Sequence, residues 1–67
     1  MLIEFDKNQT AYIEKKGLSI SDFKEDQLDN MLDFFGDLEI EKIQKQEFDK
    51  EYNTITEIVT ILSKAVA

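Results

Sequence analysis

Residues 2–15, LIEFDKNQTAYIEK, decide the fold, because they carry two readings. Read as strands, Leu2–Phe5 and Thr10–Lys15 put Ile3 and Phe5 on one face opposite Ala11 and Ile13. Asp6-Lys7-Asn8-Gln9 is then the polar turn, since Asp and Asn tolerate turn backbone angles. Read as a helix, the segment is capped by Asp6, runs through Ile13 and stops at Gly17. The hairpin is the favoured reading. With the segments that follow it predicts an α+β fold: an N-terminal β-hairpin, an acidic amphipathic helix, a second helix, and a C-terminal strand or helix, in one domain of residues 1–67.

The next segment predicts a helix from Ser19 or Ser21, either of which is a suitable cap, to about Phe35, with Gly36 as its C-terminal stop. Asp22 and Glu25 fall in its first turn, where the macrodipole favours anions. At 100° per residue, Asp22, Asp26, Asp29 and Asp33 lie within about 60° of one another, and Phe23, Leu28, Met31, Phe34 and Phe35 gather on the opposite side. Acids one turn apart stand roughly 5–6 Å from each other, on the order of the charge spacing of a nucleic-acid strand. Any amphipathic helix with this pattern shares that spacing, so it permits phosphate mimicry without requiring it.

Leu38–Tyr52 is rich in Glu, Lys and Gln and reads as a second helix with Ile40, Ile43 and Phe48 buried. The last stretch is open between strand and helix. Thr54–Leu62 is dense in β-branched residues, yet Phe48, Tyr52, Ile55, Val59, Leu62 and Val66 recur at the spacing of a helical seam. Such a seam suits a dimer contact, and a chain of 67 residues without Cys has little else to enlarge its core. A homodimer is expected.

Formal net charge is −7, from 15 Asp and Glu against eight cations, all of them Lys. The charge is not dispersed. Between Ser21 and Glu41, the acids Asp22, Glu25, Asp26, Asp29, Asp33, Asp37, Glu39 and Glu41 face Lys24 alone, and the rest of the chain is neutral in sum. Phosphate backbones repel such a surface, and Arg, the best reader of phosphates and guanine edges, is absent. Direct nucleic-acid binding is therefore not expected, whereas a basic protein partner is. A helix-turn-helix built on Ile13, Gly17, Leu18 and Phe23 fits badly, because its recognition helix would carry Asp22, Glu25, Asp26 and Asp29.

With no His and no Cys, the usual bases, thiol nucleophiles and transition-metal ligands are missing. Pairs such as Asp22/Asp26 sit on one predicted exposed face with no sign of a pocket, the single Gly17 segment is no phosphate loop, and the Asp spacing fits no EF-hand. The expectation is a non-enzyme without cofactor or metal. Neither a membrane span nor a signal peptide is read from the apolar runs, so a cytoplasmic protein is expected.

The segment Lys16-Gly17-Leu18-Ser19-Ile20-Ser21-Asp22-Phe23 resembles the corresponding part of the small dimeric uracil-DNA glycosylase inhibitors of Bacillus podophages, with Ile20 the one, conservative, difference. Leu2–Lys15 is similar to that family's strand, polar turn and second strand, Tyr12 matching one of its tyrosines, and Glu57-Ile58-Val59 is similar to a motif before its last strand. Lys24 departs from the family, which has an acid there, and the acidic residue of the second strand has only Ile13 or Glu14 as counterpart. The resemblance implies a DNA mimic that blocks the DNA-binding face of uracil-DNA glycosylase. That enzyme flips a base from the duplex and wedges an apolar side chain into the gap. It also implies that the residue matching Phe23 helps to receive the wedge. The partner-binding set is then Phe23, Ile20, Asp22, Glu25, Asp26, Asp29 and Tyr12, with ordinary core packing as the competing role for Phe23. Two other functions compete with this one: mimicry aimed at another nucleic-acid enzyme, and an acidic interaction module such as an antitoxin or phage adaptor.

Overall fold

The computed structural model describes residues 3–67 and contains helices and turns but, among these residues, no strand. Three helices, α1 (Lys7–Lys15), α2 (Leu28–Lys45) and α3 (Lys50–Val66), are joined by two single 3₁₀ turns, Ile20–Asp22 and Glu25–Gln27, and by a short turn after Lys45. The α+β expectation is thus replaced by an all-helical fold.

The hairpin fails at its turn. Asp6 and Gln9 do not form a loop but a capping box: the Gln9 N–H donates to Asp6 Oδ1 at 2.8 Å and the Asp6 N–H donates to Gln9 Oε1 at 2.9 Å. Two amide donors that a helix start leaves unpaired are satisfied reciprocally, which starts α1 at Lys7. Gln9, Tyr12 and Ile13, spaced i, i+3 and i+4, form its buried face, and Gly17 closes it at φ +83°, a left-handed backbone that glycine adopts without a Cβ penalty. Residues 3–6 are irregular, and Leu2 lies outside the described residues.

The predicted helix from Ser21 to Phe35 is also redrawn. On one straight helix Phe23 and Phe35 would stand about 18 Å apart along the axis. In the protein their ring centroids are 6.2 Å apart, because the 3₁₀ turns fold the chain back before α2 begins. Ser19 and Asp22 hold the first turn, the Ser19 N–H donating to Asp22 Oδ2 at 2.8 Å. Gly36 is not a stop: α2 continues through it, since the inward pattern Leu28, Leu32, Phe35 and Leu38 carries on past it.

The predicted second helix, Leu38–Tyr52, is split. Gln46 adopts φ 58°, and the N–H groups of Glu47 and Gln46 donate to the carbonyls of Lys42 and Ile43, the paired bonds of a Schellman stop. Asp49 then caps α3, accepting the Tyr52 N–H at 3.0 Å. The C-terminal stretch, open between strand and helix in the sequence, is helical: Ile55, Ile58 and Leu62 are fully buried on one face, each worth roughly 1.5–3 kcal/mol of burial, which outweighs the few tenths by which β-branching disfavours helix.

α3 is the central element, packing on α2 and α1. Its Ile55, Ile58 and Leu62 meet Phe35 and Leu28 of α2 and Tyr12 and Ile13 of α1 in one core, with Ile3, Phe5, Leu18 and Phe23 closing its edge. Polar ties fix the register. Gln9 Nε2 donates to Glu57 Oε1 at 3.0 Å between α1 and α3, and Thr56 Oγ1 donates to Glu39 Oε2 at 3.0 Å between α3 and α2. Among the described residues no helix is long and apolar enough to cross a membrane.

Candidate interaction surface

The acids fall on a different scaffold from the one the sequence predicts. Asp22 belongs to the first 3₁₀ turn and Glu25 and Asp26 to the second, while Asp29, Asp33, Asp37 and Glu41 follow one another at four-residue steps along α2. Each step advances about 6 Å along the axis, so the ridge of regularly spaced carboxylates lies about two turns later than expected. Asp22, Glu25, Asp26, Asp29, Asp33 and Asp37 are all exposed.

Among the described residues the four ion pairs are Lys15–Glu51, Lys42–Glu47, Lys42–Asp49 and Lys45–Glu41, and none engages an acid from Asp22 to Asp37. The Lys45 hydrogen bond, 2.9 Å long, holds the Glu41 carboxyl below the usual carboxylate range. Like charges at i, i+4 on a helix cost about 0.2–0.5 kcal/mol per pair, so Asp29/Asp33 and Asp33/Asp37 oppose folding. Asp37 lies beyond the first turn of α2, where the macrodipole gives no compensation.

The aromatic residues of the predicted site face inward. Phe23 is half-buried, its ring edge-on to Phe5 at 5.1 Å and stacked toward Phe35 at 6.2 Å. Tyr12 is buried 6.4 Å from the Phe35 ring, with Lys16 Nζ 5.3 Å from its own centroid. Burial, and then the Glu51 charge, push the Tyr12 phenol up. Ile20 is 43% exposed on the first 3₁₀ turn and points to solvent. The structure leaves Asp22, Glu25, Asp26, Asp29 and Ile20 exposed, with Asp22 and Asp26 beside Leu18, Lys24 and Met31 and with Glu25 and Asp29 beside the C-terminal end of α3, and it assigns Phe23 and Tyr12 to the core.

Three further side chains that the sequence predicts to be buried are exposed. Ile40, Ile43 and Phe48 are 53%, 45% and 61% exposed, and Phe48 packs edge-on against Tyr52 at 5.1 Å. The buried seam of α2 is Leu28, Phe35 and their flanks, and Ile40 and Ile43 lie roughly 60–140° around the helix from it. Conversely, the Phe48–Val66 seam is largely used inside one chain: Ile55 and Leu62 are at 0% exposure and offer no dimer contact.

Among the described residues no group of three potential ligands could hold a metal ion. A groove between α1 and α3 is open and of mixed charge, lined by Asp6, Lys15, Lys50, Glu51 and Glu57 among others. No family model, curated protein or solved structure matches the chain.

Proposed function

We propose that the protein acts by binding a basic, nucleic-acid-handling protein through the carboxylate ridge from Asp22 to Asp37, occupying the surface that its nucleic acid would use. The observation that carries this reading is the acidic surface itself: six exposed acids without an ion-pair partner among the described residues, of which Asp29, Asp33 and Asp37 stand at four-residue steps along α2 and repel one another at a cost to the fold. Regular charges on a rigid helix are pre-organised, so binding orders few side chains and steering raises the association rate.

Uracil-DNA glycosylase is the first target to test, because the Lys16–Phe23 segment resembles its phage inhibitors. The all-helical fold removes the strand positions on which the family's contacts depend, so Tyr12 and Phe23 do not serve as partner contacts in this reading, and Ile20 with the acids does. A uracil-excision assay in bacterial extract tests it: the wild type inhibits excision, and Asp26→Asn/Asp29→Asn/Asp33→Asn inhibits at least tenfold less. Undiminished excision at micromolar protein removes this enzyme as the target.

A further inference from the structure

We propose that the outer ridge of α2 docks a basic amphipathic helix of a protein partner, with Ile40 and Ile43 as its apolar anchor. The inference rests on the reading above that the acid ridge binds a basic protein, and adds the anchor that fixes the partner's register.

Asp29, Asp33, Gly36, Ile40 and Ile43 share one face, within about 80° of one another at 100° per residue. Read along the axis, this face is acidic in its first half and apolar in its second. Asp33 and Ile40 are separated by about 10 Å of helix. Between the two halves Gly36 leaves open space: a Cβ added there meets no atom within 4 Å.

Charge complementarity selects the occupant. The cations of α2's second half, Lys42 and Lys45, lie on the opposite flank, tied to Glu47, Asp49 and Glu41. The ridge thus presents carboxylates and apolar side chains and no ammonium group. A second copy fits poorly: parallel ridges oppose acid to acid, and antiparallel ridges bury Asp29 and Asp33 against Ile43 and Ile40, where an unpaired carboxylate is costly. A segment with lysines or arginines on one side and leucine-like residues on the other satisfies both halves.

The probes are an amphipathic Leu/Lys helical peptide of about 14 residues and an oligolysine of equal charge, titrated into the isotopically labelled protein. At about 0.3 M salt, where the Debye length is roughly 5–6 Å, the oligolysine is released and the Leu/Lys peptide is retained. Ile40→Ser/Ile43→Ser weakens the Leu/Lys peptide at least tenfold at that salt, leaves low-salt oligolysine binding unchanged and melts near the wild type. Ile43→Gln, at a 45% exposed position, repeats the effect in part as a second variant. Equal Leu/Lys affinity in wild type and both variants overturns the anchor. Dimerisation of the free protein that Ile40→Ser/Ile43→Ser abolishes makes the occupant a second copy and overturns it also. Failure of both peptides at low salt, by contrast, overturns the acid-ridge reading beneath it.

Discussion

Replacing Phe23 by Ala destabilises the fold before it touches any interface. The ring meets Phe5 edge-on at 5.1 Å and Phe35 at 6.2 Å, and it is half-buried. Fully buried Phe→Ala changes cost ~3–5 kcal/mol, and each aromatic pair adds about 0.5–1.5 kcal/mol to simple burial, so a half-buried ring with two such neighbours loses ~2–3 kcal/mol. A chain of this length has ~3–10 kcal/mol in total at ~0.05–0.15 kcal/mol per residue. At roughly 4–8 °C per kcal/mol for a domain of this size, the midpoint of a circular-dichroism melt falls by roughly 10–20 °C. Ile20→Ala, on the exposed first 3₁₀ turn, is the control, and it shifts the midpoint by less than about 3 °C. A Phe23→Ala protein that melts within about 3 °C of the wild type shows the ring to be free of the core, and restores it as a candidate contact.

Gly36→Ala raises stability by about 0.8–1 kcal/mol, since Gly36 lies inside α2 with open space around it, while Gly17→Ala lowers it because the backbone there has φ +83°; paired urea melts check both signs. Asp49, held below its ordinary carboxyl value by the Tyr52 N–H and by Lys42, stabilises α3 while ionised. Its contribution is full above the ordinary carboxylate range and vanishes as pH falls through the depressed value, so the stability lost on Asp49→Asn at neutral pH disappears at the acid end of a pH series of melts. A penalty of equal size at pH 2 contradicts the Lys42 ion pair.

Composition gave access to the charge of the surface more readily than to its scaffold. Asp22 to Asp37 are exposed wherever they sit, because nothing apolar competes for their place. The N-terminal error had a visible counter-signal: Asp6-x-x-Gln9 is a capping-box pattern, and it precedes Tyr12 and Ile13 at helical spacing. A local reading weighted Asp6 and Asn8 as turn residues instead. The start of α2 was not legible, since folding the chain back at Phe23 depends on its contacts with Phe5 and Phe35, one 18 residues before it and the other 12 after. Gly36 misled because a helix interior tolerates glycine at about 1 kcal/mol when its apolar face continues. The seam from Phe48 to Val66 left strand and helix open, and α1 and α2 bury its Ile55 and Leu62 within one chain: periodicity shows that a face is buried, not what covers it. For the same reason Ile40 and Ile43 were assigned to a core that lies around the helix from them.

Whether the acid ridge is a binding surface is tested most directly by the association rate of the protein with purified bacterial uracil-DNA glycosylase across a salt series, for the wild type and for Asp26→Asn/Asp29→Asn/Asp33→Asn. Steered association is fast at low ionic strength and slows steeply as salt screens it, and the neutralised variant is slower with a shallower dependence. The expected result is at least a tenfold loss of rate in the variant at about 50 mM salt that narrows above about 0.3 M. Equal rates and equal salt slopes for the two proteins would show the ridge to be a solvated helix face and nothing more.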